Sequence, residues 1–227
     1  MSPPTQPLII AHRGASASAP ENTLAAYALA VVQDADGIEL DVRRTADGRL
    51  VLHHDAVVPG LGAIVELPFA TLRSHAPTIP TLDEMLAVTG DLLIDIEIKN
   101  HAGEPDHDPG YAVADTVAGW IDRHDLHHRV IVSSFDWGTM ARVRAIDPRI
   151  TTGQLVAFAD LDGQTFAAIA DAGHAWALPA DHLLGPEPEA AIAAAHRRGL
   201  RIGTWTVDGA SRLRSLAQAA IDAIVVN

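Results

Sequence analysis

The chain has 227 residues, of which 48% are hydrophobic and 20% are charged, a composition typical of a folded domain rather than a disordered one. The formal net charge of −13 argues against nucleic acids and anionic membranes as partners, although a bound cation could still admit an anionic substrate. The sequence has no cysteine, which excludes disulfides, thiolate metal sites and cysteine nucleophiles. Because we find neither a signal peptide nor a transmembrane stretch, we expect a cytoplasmic protein without stable membrane association.

Short apolar strands alternate with alanine-rich helical stretches, which is the pattern of successive βα units. Strands are predicted at 8–12, 38–43, 92–99, 130–134, 151–156, 175–179, 201–207 and 223–226. Helices are predicted at 23–33, 82–89, 111–124, 137–146, 163–172, 186–198 and 210–220. Eight strands with helices between them favour a TIM (β/α)8 barrel of the α/β class, formed by residues 1–227 as a single domain. A Rossmann-like sheet is the competing fold, and it is weakened by the absence of the G-x-G-x-x-G fingerprint.

Two features depart from a regular barrel. The dipeptide Asp47-Gly48 between apolar runs is typical of a tight turn, so we expect 50–54 to form a short β-hairpin extension, antiparallel to the second strand. The chain also ends at Asn227, directly after the eighth strand, so the usual last helix is missing. Either the sequence is trimmed or a second subunit covers that face, which makes a homo-oligomer one of the two alternatives.

Charged and apolar side chains alternate along the second and third strands, so each strand has one charged face. The residues on these faces are Glu39, Asp41 and Arg43 on the second strand and Asp95, Glu97 and Lys99 on the third. Since the apolar faces pack on the outer helices, the charged faces point into the barrel, where unpaired charge is costly. Glu39, Asp41 and Glu97 therefore predict a divalent cation site, and oxygen-only ligation favours Mg²⁺, Ca²⁺ or Mn²⁺ over Zn²⁺. A structural salt-bridge network with Arg43 and Lys99 is the alternative explanation for the carboxylates alone.

Two histidines are expected at the same mouth of the barrel. His12 ends the first strand, beside the second. If the hairpin turn is centred between residues 46 and 47, His54 lies opposite Glu39 and shares its face, whereas His53 points the other way. Together these groups would hydrolyse a phosphodiester. The cation would neutralise its charge, Arg13 and Lys99 would contact the phosphate oxygens, and the two histidines would act as general acid and base.

The sequence also resembles the glycerophosphodiester phosphodiesterases through motifs that span most of the chain in that family's order. The first motifs are Ala11-His12-Arg13-Gly14, Pro20-Glu21-Asn22-Thr23, Ile38-Glu39-Leu40-Asp41-Val42, Thr45-Ala46-Asp47-Gly48 and His54-Asp55. The others are Ile79-Pro80-Thr81-Leu82-Asp83-Glu84, Glu97-Ile98-Lys99, Ser133-Ser134-Phe135 and Trp205-Thr206-Val207. Each motif alone is weak evidence, but the ordered set is specific.

This resemblance implies a TIM barrel that hydrolyses small glycerophosphodiesters to glycerol 3-phosphate and an alcohol. The implied site consists of His12 and His54 as the acid/base pair, Glu39, Asp41 and Glu97 as metal ligands, Arg13 and Lys99 as phosphate contacts, and Trp205 as a pocket aromatic. A core tryptophan on the seventh strand is the alternative interpretation of Trp205.

The resemblance has two gaps, and two other functions remain open. The segment after His54-Asp55 is shorter than is usual in the family, and the family's Ile-Thr-Asp on the last strand is Val225-Val226-Asn227 here. A lysophospholipase D or sphingomyelinase-like activity on the same barrel would need an apolar entrance, which 57–65 could provide. A non-catalytic binding barrel is the second alternative, and the complete set of ligand and acid/base residues argues against it.

Overall fold

Strands and helices alternate through the computed structural model, which describes residues 6–158 and 161–227. The strands are β1 (Leu8–His12), β2 (Gly37–Arg44), β3 (Leu50–Leu52), β4 (Val57–Val58), β5 (Gly62–Ala63), β6 (Leu93–Ile98), β7 (Val130–Ser134), β8 (Thr151–Val156), β9 (Trp176–Pro179), β10 (Arg201–Thr204) and β11 (Ala223–Val226). The helices are α1 (Leu24–Val32), α2 (Phe69–His75), α3 (Leu82–Leu86), α4 (Ala112–Arg123), α5 (Trp137–Ile146), α6 (Gly163–Asp171), α7 (Asp181–Leu184), α8 (Glu189–Arg197) and α9 (Ala210–Gln218). A 3₁₀ turn, Ile64–Glu66, precedes α2.

Eight of these strands close into a parallel barrel. Their order is β1, β2, β6, β7, β8, β9, β10 and β11, and β11 pairs with β1 to complete the ring. The predicted TIM (β/α)8 barrel is therefore confirmed. The strand β3 extends the sheet antiparallel to β2, and β4 pairs with β5 in a separate small hairpin.

The predicted elements match the observed ones except near their ends. The strand predicted at 201–207 ends at Thr204, and the helix predicted at 186–198 begins at Glu189. The short elements β4, β5, α2 and α7 were not predicted, because each is too short to show a hydrophobic period. The strand β11 is the last element in the described part of the chain. Among the described residues, no helix is long and apolar enough to cross a membrane.

Alternating side chains divide the core into an outer layer and a barrel interior. The outward-facing Ile38, Leu40 and Ile96 are fully buried between the barrel and its helices. The interior is apolar only in part, where Ile10, Ile131, Trp176, Leu178 and Val225 pack together. Polar side chains fill the carboxyl-terminal end of the barrel, so the charged groups are confined to its mouth.

The hairpin after β2 forms as predicted, but its predicted register is wrong by one residue. Val42 pairs with Leu52, and the His53 amide donates to the carbonyl oxygen of Asp41 at 3.0 Å, so Leu40 rather than Glu39 is in register with residue 54. The cause is a three-residue loop in which Gly48 adopts a left-handed φ of 82°, instead of a two-residue turn. Since regular pairing ends before His54, strand alternation cannot decide between the two histidines.

Candidate active site

The charged side chains lie in register across three neighbouring strands at the mouth of the barrel. Glu39 on β2 is level with His12 on β1 and with Asp95 on β6. Asp41 is level with Glu97, one step closer to the mouth. This arrangement follows from the parallel pairing of β1, β2 and β6, because parallel strands bring corresponding positions side by side.

Three of these carboxylates are close enough to share one cation. Glu39, Asp41 and Glu97 each offer an oxygen within 4.8 Å of the other two, and all three residues are buried. The Glu39 Oε2 atom accepts the Arg13 backbone N–H at 3.0 Å, whereas its Oε1 atom has no hydrogen-bond partner among the described residues. A buried carboxylate oxygen without a partner is unfavourable, and a bound cation would satisfy it. The donor set therefore fits a hard divalent cation.

Two cationic side chains lie among the carboxylates. The Lys99 Nζ atom lies 2.7 Å from Glu97 Oε1 and 2.8 Å from Asp41 Oδ1. The Arg13 Nε atom lies 3.1 Å from Asp41 Oδ2, and its Nη1 atom donates to both carboxylate oxygens of Glu21 at 2.9 Å.

The cationic side chains would not balance the negative charge of the four buried carboxylates if all of them were ionised. The buried acidic side chains of the site are Glu39, Asp41, Asp95 and Glu97. Arg13 and Lys99 offset only part of this charge, and Arg13 is also paired with the exposed Glu21. A divalent cation would supply the missing positive charge, whereas a purely structural salt-bridge network would be expected to be neutral.

The carboxylates of the cluster differ in how readily they ionise. Burial raises the pKa of Glu39 well above its usual value, and the charges of Asp41 and Glu97 add to this effect. Burial also raises the pKa of Glu97, although Lys99 opposes the shift. For Asp41, burial is outweighed by Lys99 and Arg13, so its pKa is lowered. Asp41 therefore stays ionised. As pH falls, protons bind to Glu39 and Glu97, and a cation must displace these protons in order to bind.

Asp95 is a further acidic member of the site. It lies deeper in the barrel than Glu97, and its Oδ1 atom accepts a hydrogen bond from the Ser133 hydroxyl at 2.7 Å. Burial raises the pKa of Asp95 to about 7, and the charges of Glu97 and Asp41 contribute. The strand alternation placed Asp95 on the charged face, but it did not indicate a role for this residue.

The His12 ring is oriented by a residue at the other end of the sequence. Its Nδ1 atom lies 2.7 Å from Asn227 Oδ1, which also accepts the Ser16 hydroxyl at 3.2 Å. Because this amide oxygen can only accept, Nδ1 carries the proton, and Nε2, at 3.9 Å from Glu39 Oε2, is left with its lone pair toward the cluster. Burial lowers the pKa of His12, which keeps the ring neutral near pH 7.

The loop after β3 brings His54 within electrostatic reach of the cluster, where its charge in the protonated form lowers the pKa of Glu97. The His54 Nδ1 atom lies 2.8 Å from Asp55 Oδ1. Arg43 holds this loop, because its Nε atom donates to the His54 carbonyl oxygen at 2.9 Å. The His53 ring instead contacts the carbonyl oxygen of Asp55, at 2.8 Å.

Asn22 supports the site without having been assigned a role from the sequence, and Arg43 does not form the salt bridges with the carboxylate cluster that the alternative explanation required. Arg43 is fully buried and forms ion pairs with Glu104 and Asp106, so it is not part of the carboxylate cluster. Asn22 donates from Nδ2 to Asp41 Oδ2 at 2.7 Å. Its backbone has a φ of 51°, a left-handed conformation that asparagine tolerates better than most residues. The Pro20-Glu21-Asn22-Thr23 motif contained this signal, but its spacing did not show which side chain it would contact.

Trp205 lines the mouth of the barrel. It borders a small cavity of about 30 Å³ together with His12, Glu39, Asp95 and Glu97. It also borders a neighbouring groove of about 800 Å³. Its indole N–H donates to the Leu178 carbonyl oxygen at 2.8 Å, so the polar atom is satisfied and the ring presents an apolar face.

Much of the apolar surface of the shortened segment after Asp55 packs against a separate cluster. Val58 on β4 and Leu61 in the turn between β4 and β5 pack against a small separate cluster that contains the buried Ile64 and Leu72. No residue between 57 and 65 lines the 800 Å³ groove. The expectation that this segment could form the entrance is therefore not supported by the observed packing.

A (β/α)8 barrel that gathers acidic and imidazole side chains at the carboxyl ends of its strands has the architecture of an enzyme. The model of the Glycerophosphoryl diester phosphodiesterase family matches residues 12–227, so the chain belongs to this family and is a phosphoric diester hydrolase. A glycerophosphodiester phosphodiesterase of Caldanaerobacter subterraneus subsp. tengcongensis is 30% identical over 238 residues, which cover 97% of this chain and 93% of the relative.

Solved structures show the same barrel. A glycerophosphodiester phosphodiesterase from Thermotoga maritima has a TM-score of 0.81 at 24% identity, and the match covers 97% of this chain and 94% of that one. A phosphodiesterase from Oleispira antarctica, solved in complex with the product sn-glycerol-3-phosphate, has a TM-score of 0.84 at 23% identity and covers 97% of this chain and 93% of its own. At these identities the two structures support the fold.

The raised pKa of Asp95 predicts a pH-dependent loss of stability. The folded protein holds a proton on Asp95 up to about pH 7, whereas the unfolded chain releases it near pH 4, so stability falls as pH rises between these values. Asp95→Asn mimics the protonated form and should remove this effect. In urea unfolding with EDTA present, the free energy of unfolding of the variant relative to that of the parent should rise by roughly 2–4 kcal/mol between pH 5 and pH 8. The exposed control Asp208→Asn should show no such gain, and an identical pH profile for Asp95→Asn and the parent would contradict the prediction.

Proposed function

We propose that the chain is a metal-dependent enzyme that hydrolyses glycerophosphodiesters to glycerol 3-phosphate and an alcohol. The observation that carries the proposal is the buried group of Glu39, Asp41 and Glu97, with its excess negative charge and an unsatisfied Glu39 oxygen. The relative from Caldanaerobacter, which aligns over nearly the whole chain, supports the choice of substrate. The proposed enzyme is a single cytoplasmic domain that acts on a small molecule and not on nucleic acid.

Glu39, Asp41 and Glu97 would hold one divalent cation, Mg²⁺ or Ca²⁺, with Mn²⁺ as a further option. When bound, this cation neutralises phosphate charge and orients the diester. Carboxylate oxygens suit all three ions, so the residue types do not distinguish among them. The same cation would offset the burial that raises the pKa of Glu39 and Glu97.

Arg13 and Lys99 are proposed to contact the phosphate oxygens. Both side chains lie beside Asp41, so they hold their charge in place before a substrate arrives. Burial lowers the pKa of Arg13, but the charges of Asp41 and Glu21 outweigh it. Burial also lowers the pKa of Lys99, but the charges of Glu97 and Asp41 outweigh it. Both cationic groups therefore stay protonated at neutral pH. Fixed cations of this kind stabilise the charge that develops on the phosphorus centre.

His12 and His54 are proposed to move the protons. His12 is neutral with its Nε2 lone pair toward the cluster, which suits a general base that accepts a proton from water or from a substrate hydroxyl. His54 is then the general acid that protonates the leaving alcohol, and the Asp55 carboxylate orients its ring through Nδ1. Trp205 would line the pocket beside the reacting group.

The two adjacent histidines give a matched pair of variants. His54→Ala should lower glycerol 3-phosphate release from glycerophosphocholine by at least about a hundredfold, because a general acid is lost. His53→Ala should retain most of the activity, since its ring contacts the carbonyl oxygen of Asp55. Circular dichroism should show that both variants are folded. An equal loss of activity in the two folded variants would contradict the proposed role of His54.

Metal dependence and the carboxylate ligands can be tested together. EDTA should stop glycerol 3-phosphate release from glycerophosphocholine, and Mg²⁺ or Ca²⁺ should restore it. Glu97→Gln should weaken the binding of the restoring ion by roughly tenfold or more in calorimetry, because an anionic ligand is lost. The exposed control Glu189→Gln should bind as the parent does. Release that persists in EDTA, or unchanged affinity in Glu97→Gln, would contradict the proposed metal site.

A further inference from the structure

Two cationic side chains lie level with each other where β2 and β6 reach the mouth of the barrel. Arg43 on β2 is one step beyond the last paired residues of the two strands, and so is Lys99, which follows β6. Lys99 pairs with the carboxylate cluster. Arg43 instead pairs with Glu104 and Asp106 of the β6 loop, which we define as residues 100–110. Two neighbouring cations of the mouth therefore serve different partners.

The guanidinium of Arg43 joins two loops. Its Nε atom donates to the His54 carbonyl oxygen at 2.9 Å, and its Nη2 atom donates to the same oxygen. Its Nη1 atom donates to Glu104 Oε2 at 2.9 Å and to Asp106 Oδ2. The side chains of Arg43 and Asp106 are only 1% and 6% exposed. A lysine could not make these contacts together, because an ammonium lacks the planar fork of donors.

The backbone of His54 depends on Arg43 for its place. Pairing between β2 and β3 ends just before this residue, where the His53 amide donates to the Asp41 carbonyl oxygen. The ring of His54 contacts Asp55, but these two side chains are 40% and 70% exposed. Among the described residues, only Arg43 forms hydrogen bonds between a barrel strand and His54. Arg43 therefore fixes the backbone from which the ring of His54 projects.

The β6 loop is itself anchored at its base. The Asn100 amide donates to the Asp108 carbonyl oxygen at 3.2 Å and to the Thr139 hydroxyl on α5 at 3.0 Å. The Asp108 backbone N–H donates back to Asn100 Oδ1 at 2.8 Å. These bonds close the loop on both sides of Glu104 and Asp106, so the two carboxylates have a fixed position from which to hold Arg43.

We propose that Arg43 is a positioning residue for His54 and that Glu104 and Asp106 hold it in place. This inference rests on the proposed function and adds a requirement outside the carboxylate cluster. In the reaction, the nucleophile adds to phosphorus and gives its proton to His12. The bond from phosphorus to the leaving oxygen breaks, the electron pair stays on that oxygen, and His54 donates a proton to it. Without Arg43, the ring of His54 is misplaced and this proton transfer slows.

A pair of substrates isolates the proton that His54 donates. Glycerophosphocholine releases an alcohol that must be protonated as it departs, whereas the p-nitrophenyl ester of glycerol 3-phosphate releases a stable phenolate. With Mg²⁺ or Ca²⁺ present, His54→Ala should lower kcat for choline release at least about a hundredfold and kcat for nitrophenolate release far less. A parent that is inactive on both substrates, or equal losses in His54→Ala, would contradict the proposed function and this inference with it.

The same substitution at two adjacent positions of β2 tests Arg43. Arg43→Lys should lower kcat for choline release about tenfold or more and leave nitrophenolate release nearly unchanged, because only the acid is misplaced. KM should stay within about twofold, since the groups that bind phosphate are untouched. Arg44→Lys, on the opposite face of the strand, should match the parent. Equal losses on the two substrates, or no loss on either, would overturn the proposal for Arg43.

The β6 loop gives a second test that leaves Arg43 in the chain and decides the question if Arg43→Lys does not fold. Asp106→Ala removes one of the two carboxylates on the guanidinium, so it should show the same selective loss of choline release, of about threefold or more. His107→Ala, at the exposed neighbouring position, should match the parent. Circular dichroism should show that both variants are folded. Parent-like activity of Asp106→Ala, or equal losses on the two substrates, would overturn the proposal.

Discussion

Four carboxylates buried at the mouth of the barrel repel one another, and their ionisation costs several kcal/mol each unless positive charge is close by. Lys99 and Arg13 neutralise Asp41, and this is why its pKa is lowered. Burial, together with the neighbouring carboxylates, raises the pKa of Glu39 and of Glu97. The remaining negative charge is stable only with protons or with a cation. The proposed role of this charge is to hold a divalent ion and, through it, a phosphate.

The surroundings of the cluster serve the same arrangement. Asn22 and the Arg13 backbone fix the orientation of Asp41 and Glu39, and Asn227 turns the lone pair of His12 toward them. These contacts come from loops at the carboxyl ends of the strands, where a barrel can vary its chemistry without changing its core. The apolar groove lies at the same end, and Trp205 borders both the groove and the small cavity beside the carboxylates.

Sequence reasoning predicted the barrel and the facing of its charged residues, because side-chain alternation is local to each strand. It failed on the register of the hairpin, since a three-residue loop with Gly48 in a left-handed conformation has the same Asp-Gly signal as a two-residue turn. It also missed the contacts of Asn22 with Asp41 and of Arg43 with the His54 carbonyl oxygen. Such contacts join distant loops, and no periodicity in the sequence reports them.

The most direct test of this account is a crystal structure with Mn²⁺, whose anomalous scattering locates the ion. The account predicts a peak at coordination distance from Glu39, Asp41 and Glu97. Asp122, His127 and Asp147 form a second group with ligand atoms within 4.8 Å, but two Asp147 oxygens already accept hydrogen bonds from Arg149. A peak at this second group alone, or no peak at saturating Mn²⁺, would contradict the central claim that buried charge at the barrel mouth is there to hold a cation.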